Sequence, residues 1–254
     1  MSRLLVIGLN TFRENLRDKI LYNLLVFAVL LIGVSILLAD LTIMEHQKIV
    51  TDMGLASINL VGVIIAIFVG IGLVSKEIER RTVYTIMARP ISRTQFLLGK
   101  YLGLVLTLLV NVVVMVAVFL LTLQVYHAPV HGALFQAIQL MFVEMLLVTA
   151  LALFFSTFSS STLSAILALG LYVVGHLTAD LQGLAESSRS EMLKGVMTSL
   201  YYLCPNLELL NIKGQAAMGQ AVPLSYQALA SAYGLLYTAL VLTGACLVFQ
   251  RRDF

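Results

Sequence analysis

Residues 101–179 read YLGLVLTLLVNVVVMVAVFLLTLQVYHAPVHGALFQAIQLMFVEMLLVTALALFFSTFSSSTLSAILALGLYVVGHLTA, 79 positions with no Lys, Arg or Asp and a single carboxylate, Glu144. A helix crosses a hydrocarbon core of about 30 Å in about 20 residues at about 1.5 Å each, so this stretch alone has room for three crossings. Working outward, residues 20–39 are uncharged for 20 positions, 53–75 for 23 and 214–250 for 37. Allowing for turns, six spans are expected at about 20–39, 54–75, 96–124, 133–156, 162–179 and 226–249. The fold class that follows is an all-α, polytopic membrane protein forming a single transmembrane domain over 1–254. The composition agrees: 60% of the 254 residues are apolar and 11% charged, where a soluble domain carries about 25% charged residues. A soluble enzyme is excluded.

All four prolines, Pro90, Pro129, Pro205 and Pro223, fall between the expected spans, as their cost in a helix interior requires. The chain has no Trp; Tyr22, Tyr101, Tyr126 and Tyr226 stand near span ends and can take its interfacial role. Arg13, Arg17 and Lys19 precede 20 apolar residues without a small-residue cleavage site, so the first span reads as retained rather than as a signal peptide. Cys204 and Cys246 fall on opposite halves of the membrane and suggest no disulfide framework.

Six spans put both termini on one side. With the termini cytoplasmic, only Lys48, Arg189, Lys194 and Lys213 of the 16 Lys and Arg lie outside, the distribution that basic residues near span ends follow. The +3 net charge therefore reports topology rather than nucleic-acid binding. Before the first span, Leu5, Leu9, Phe12 and Leu16 recur at helical spacing while Asn10, Arg13, Glu14 and Arg17 take the other side. The pattern fits an amphipathic helix on the inner leaflet, or an N-terminal extension of the first span.

Between spans two and three, residues 76–95 with Gly99 and Lys100 hold six of the 16 basic residues. Thr82 to Ala88 can form a short helix with Val83, Ile86 and Met87 on one side, ended at Pro90. Ser92 and Gln95 form a capping box that opens the next helix. Such a loop either docks a cytoplasmic partner or fixes topology and meets anionic lipid. On the outer side, 180–225 is long. Ser188 and Glu191 make a second capping box, Met192, Val196 and Leu200 share a helical side, and Tyr201, Tyr202, Leu203, Leu207, Leu209 and Leu210 are too apolar for a solvated loop. One or two helices lying against the outer membrane surface and capping the bundle are expected.

No catalytic residue, cofactor site or metal site emerges. Gly99-Lys100 is followed by Tyr101 and lacks the earlier glycine of a phosphate cradle. His127 and His131 flank Pro129 with no Cys, Asp or Glu nearby, and His176 is the one histidine within a span, where a buried haem held at two axial positions needs a second ligand. Glu144 stands well inside a span, where an acid costs about 2.5–3.5 kcal/mol on insertion scales. It either gates, carries protons or meets substrate, or it holds neighbouring helices by a hydrogen bond. Asn111, Gln136, Gln139 and Thr149 are further candidate contacts between helices, and Gly99 with Gly103 makes a GxxxG pair.

The string SKEIERRTVYTIMARPISRTQFLLGK at 75–100 resembles the ABC-type-2 permeases, together with NTFRENLR at 10–17, LFFSTFSSS at 153–161 and YYLCPNLE at 201–208. The spacing is most similar to the branch linked to multicopper-enzyme maturation. The resemblance implies a six-helix permease subunit of an exporter in a bacterial-type cytoplasmic (inner) membrane. It implies a second permease subunit, identical or homologous, and two copies of a separate ATP-binding subunit that hold ATP and Mg. It makes the cytoplasmic helix after span two the coupling element, with Glu77, Glu79, Arg80, Arg81, Thr82, Tyr84, Thr85 and Arg89 as candidate contacts, and the N-terminal segment the connecting helix. Substrate passage is implied between permeases, where Asn23, Asn59 and Tyr172 are candidate polar contacts beside Glu144. Two rival classes stand: an ion-gradient-driven carrier or channel using Glu144, and a membrane anchor for a protein assembly.

Overall fold

In the computed structural model, which describes residues 3–40, 46–79, 92–178, 183 and 191–251, every regular element among the described residues is helical. In chain order these are α1 (Arg3–Asn15), α2 (Lys19–Asp40), α3 (His46–Glu79), α4 (Arg93–Val125), α5 (Gly132–Ser156), α6 (Ser161–His176), α7 (Glu191–Leu203), a single 3-10 turn (Glu208–Leu210), α8 (Lys213–Ala217) and α9 (Leu224–Arg251). Four stretches are long and apolar enough to cross a membrane: Gln47–Gly72, Arg93–Val125, Gly132–Ser156 and Leu224–Arg251. Leu21–Ser35 and Ser161–His176 are shorter apolar helices. The protein is an all-α, multi-pass membrane protein.

Local chemistry accounts for the helix limits. The hydroxyl of Ser92 accepts the Gln95 amide N–H at 3.2 Å, and the Ser92 N–H donates to Gln95 Oε1 at 3.4 Å, so the expected capping box opens α4. Pro129, Pro205 and Pro223 lie between helices, and Pro90 is outside the described residues. α3 begins at His46, well before position 54. Its early polar residues suit an apolar setting because Thr51 and Ser57 donate their hydroxyls to the Gln47 and Met53 carbonyls.

α5 is the central helix. α3 and α9 pack along it, and α6 and α8 close its remaining sides. Its buried positions, Leu140, Met141, Met145, Leu147, Val148 and Ala152 among them, cover more than one side of the cylinder. A helix apolar all round is what such a position demands.

The N-terminal helix is separate from α2, since a turn at Leu16–Asp18 divides them. It runs parallel to the start of α4, with Ile7 against Gly99, Thr11 against Gly103, and the Asn15 amide donating to the Thr107 hydroxyl at 3.1 Å. Lys100, buried, lies 3.7 Å from the exposed Glu14 carboxylate. The face turned to α4 is thus small and polar, Gly8, Thr11 and Asn15, while Leu5 is 50% exposed and Leu9, Phe12 and Leu16 are half-buried. The apolar stripe read in the sequence is therefore not the face that packs on α4: Leu5 is open and the other three are partly covered. Tyr101 departs from the interfacial expectation. It is buried and donates its hydroxyl to the Leu146 carbonyl at 3.1 Å, joining α4 to α5.

The contact of α1 with α4 depends on missing side chains. A Cβ at Gly103 would stand 2.5 Å from Thr11 Cβ and 2.7 Å from the Gly8 carbonyl oxygen, and neither of those atoms ends a flexible chain. Gly103→Val is expected to cost about 1–3 kcal/mol by overpacking, read as a lower thermal midpoint in mild detergent. Gly33→Ala, which meets nothing within 4 Å, leaves the midpoint unchanged or slightly higher.

Candidate functional site

Three helices bring polar side chains together inside the bundle. Tyr172 and His176 stand four residues apart on α6, so they share a face, and their rings are 4.6 Å apart between centroids. Asn59 on α3, buried, donates its amide to the Tyr172 hydroxyl at 3.4 Å. Glu144 on α5 is fully buried, and its Oε1 lies 3.2 Å from His176 Nε2. That distance is within ion-pair range, without a hydrogen bond between the two atoms. Among the described residues neither Glu144 oxygen, nor His176 Nε2, nor Asn59 Oδ1 has a hydrogen-bond partner.

The site exists because α6 stops there. At 16 residues it rises about 24 Å, short of a hydrocarbon core of about 30 Å, and its last carbonyls need partners. His176 Nδ1 contacts the Tyr172 carbonyl oxygen at 3.1 Å. The Gly175 carbonyl accepts both the Thr178 hydroxyl at 3.0 Å and the Leu207 N–H at 2.9 Å. Only glycine fits at 175, since a Cβ would stand 2.8 Å from the Pro205 carbonyl oxygen.

The chain therefore returns into the bundle after α7. Leu207, Leu210, Ile212 and Ala216 are buried, and Gly234 of α9 lies against both Leu210 and Val143 of α5. Val143 and Gly234 are each about 15 Å along their helices from the N-terminal ends at about 1.5 Å per residue. The turn at Leu207–Leu210 is thus wedged between helices at the level of Glu144, where the sequence suggests helices lying against the outer surface, while Ala216 to Gly219 stand with His131 near the start of α5. The backbone around the turn is held from α9 as well: the Asn206 N–H donates to the Tyr233 hydroxyl at 2.9 Å, and the Tyr226 hydroxyl donates to the Leu209 carbonyl at 2.9 Å.

Above the cluster, a run of amides joins α5 to α9. Gln136 donates to Gln227 Oε1 at 3.0 Å and to the Val222 carbonyl at 3.1 Å, Gln227 donates to Gln139 Oε1 at 2.8 Å, and Gln139 donates to the Ser231 hydroxyl at 2.9 Å. Gln136 and Gln139 are therefore contacts between helices. Asn111 and Thr149 instead donate to carbonyls of their own helices, those of Thr107 and Met145.

Of the intramembrane residues singled out in the sequence, Glu144, Asn59 and Tyr172 meet, and Asn23 does not, being exposed on α2. His176 joins them. Its place was hidden by chain separation, although the Tyr172–His176 spacing marks a shared helical face. Glu77 and Glu79 end α3 with side chains outside the description, and Arg80, Arg81, Thr82, Tyr84, Thr85 and Arg89 lie outside the described residues. At the end of the bundle formed by the starts of α3 and α5, a cleft of about 620 Å³ is lined by Gln47, Lys48, Thr51, Tyr126, His131 and Met218. Among the described residues no three His, Cys, Asp or Glu side chains stand close enough to hold a metal.

Removing one partner of a buried ionisable pair costs about 3–5 kcal/mol, while apolar replacement of both is often neutral or stabilising. Glu144→Leu and His176→Leu are each expected to lower the thermal midpoint in mild detergent, and the double variant to recover most of the loss. A double variant no more stable than the worse single one would contradict the coupling.

A search of curated proteins finds no match. The family model described as ABC-2 family transporter protein matches residues 5–254. That match takes in nearly all of α1, the six apolar helices and the wedged segment between α7 and α9, and the chain belongs to the ABC-2 transporter family.

Proposed function

We propose that this membrane component of an ABC transporter is the permease subunit of an exporter, driven through its cytoplasmic side by a separate ATP-binding subunit. The family match over nearly the whole chain carries the reading. Two copies of the ATPase would hold ATP and Mg, and a second permease, identical or homologous, would complete the path. The membrane would be a bacterial-type cytoplasmic one, with both termini inside. Of the family's branches, the one linked to multicopper-enzyme maturation is the proposed relative.

The helices support such a transmission. α3 and α4, of 34 and 33 residues, each extend about 50 Å, longer than a hydrocarbon core of about 30 Å. They flank the segment 80–91, in which Arg80, Arg81, Thr82, Tyr84, Thr85 and Arg89, with Glu77 and Glu79 before them, are the proposed ATPase contacts. A displacement of that segment would move α3 and α4 together, and α1 with them through Gly99 and Gly103. Along α3 it would reach Asn59, and through Asn59 the Tyr172, His176 and Glu144 cluster. Closure of the ATPase on ATP would thereby alter the outer half of the bundle without chemistry in the permease.

The buried Glu144–His176 contact favours a second reading, an ion-gradient-driven carrier. Flux in vesicles that hold the chain alone, dependent on Glu144 and on an ion gradient, would support it, and absence of such flux would end it.

The permease reading is tested by purifying the tagged chain from its native host in mild detergent. An ATP-hydrolysing subunit is expected to accompany it and to be lost on joint reversal of Glu79 and Arg81, Glu79→Arg with Arg81→Glu, while membrane insertion is retained. Unchanged association of the double variant would contradict docking through this segment.

A further inference from the structure

The Glu144–His176 contact contains a count of protons. The Tyr172 carbonyl oxygen can only accept a hydrogen bond, so the 3.1 Å contact from His176 Nδ1 requires a hydrogen on Nδ1. The opposite ring nitrogen, Nε2, then faces Glu144 Oε1 at 3.2 Å. With no further proton these are two acceptors in contact, one of them a bare carboxylate in a fully buried position, an arrangement that low-dielectric surroundings penalise heavily. With one proton between them the contact is favourable from either side, as imidazolium beside carboxylate or imidazole beside carboxyl. With two, an imidazolium stands unpaired beside a neutral acid. No described residue takes over either end, since both Glu144 oxygens and Nε2 lack hydrogen-bond partners.

We propose that Glu144 and His176 form a proton-binding site that holds one proton while the C-terminal end of α6 is docked, so that gain or loss of that proton releases the end. The transfer is simple to balance. A proton exchanged with water leaves or joins the Nε2–Oε1 contact, and no other bond is made or broken. From α3 the neighbouring group is Asn59, and from α6 it is Tyr172. From α8 the charged group that acts on His176 is Lys213. The consequence travels one residue, because Gly175, next to His176, carries the carbonyl that accepts the Leu207 N–H. Release of His176 loosens the anchor of the wedged turn at Leu207–Leu210. The inference concerns the permease itself and stands whether or not ATP binding reaches the site.

The Leu207 amide reports the docking directly. Deuterium uptake of the peptide around residues 205–212 is measured in the full chain in mild detergent from about pH 4 to about pH 9, a range that brackets the ordinary Glu and His values. Rates are divided by those of the same peptide free in solution, which removes the intrinsic pH dependence of exchange. Protection is expected to peak in an intermediate window and to fall about tenfold on both sides. In Glu144→Gln the amide can donate to Nε2 without titrating, so protection is expected to persist at high pH where the wild type loses it. His176→Gln is expected to flatten the profile at both ends, and either variant suffices if the other does not fold. A wild-type profile flat across the range, or a variant that keeps the wild-type profile, would overturn the proposal.

Discussion

A helix that stops inside a membrane protein must place its final carbonyls against donors, because hydrocarbon supplies none. α6 stops at His176, and the neighbouring half of the molecule is arranged around that end. Leu207 returns its N–H to Gly175, Thr178 its hydroxyl, and His176 its own ring to the Tyr172 carbonyl. To bring Leu207 there the chain must pass Pro205 over a glycine and bury Leu210 between α5 and α9. The tyrosine hydroxyls of α9 and the amides shared by α5 and α9 then hold what lies above. Glu144, the one carboxylate in the long uncharged stretch, is spent on the same helix end.

Much of this architecture is legible in one dimension. Uncharged length locates the apolar helices, because transfer of side chains into hydrocarbon is local and additive, and the Ser92–Gln95 capping box is read from two letters. The glycine pair at 99 and 103 also announces a close contact, but the residues alone do not say with what. Its partner is the N-terminal helix, whose small and polar face makes contact while its apolar stripe does not. The amphipathic pattern is visible in the sequence, and the choice of face is a tertiary matter.

The less legible features depend on pairing across the chain. Hydropathy marks Leu207, Leu209 and Leu210 as apolar but cannot say that their turn inserts at the level of Glu144, since a surface cap and a wedge have the same composition. Glu144 and His176 are separated by a whole turn between helices, and only the early end of α6 brings them within reach. Asn23 and Asn59 look alike as letters. The helix phase of α2 leaves the first exposed, whereas that of α3 buries the second against Tyr172.

Two ends of the molecule are thus built for different duties. The long helices α3 and α4 extend toward the proposed ATPase, and the opposite half holds its order in a few polar contacts around α6, with Asn59 on α3 joining the two. The most direct measurement of that connection is deuterium exchange of the permease in complex with its ATPase, with and without nucleotide trapped by vanadate. Coupling through the bundle predicts altered exchange in residues 172–178 and 205–212, on the side of the membrane away from the nucleotide. Changes confined to α1 and to the ends of α3 and α4 that border segment 80–91 would contradict it.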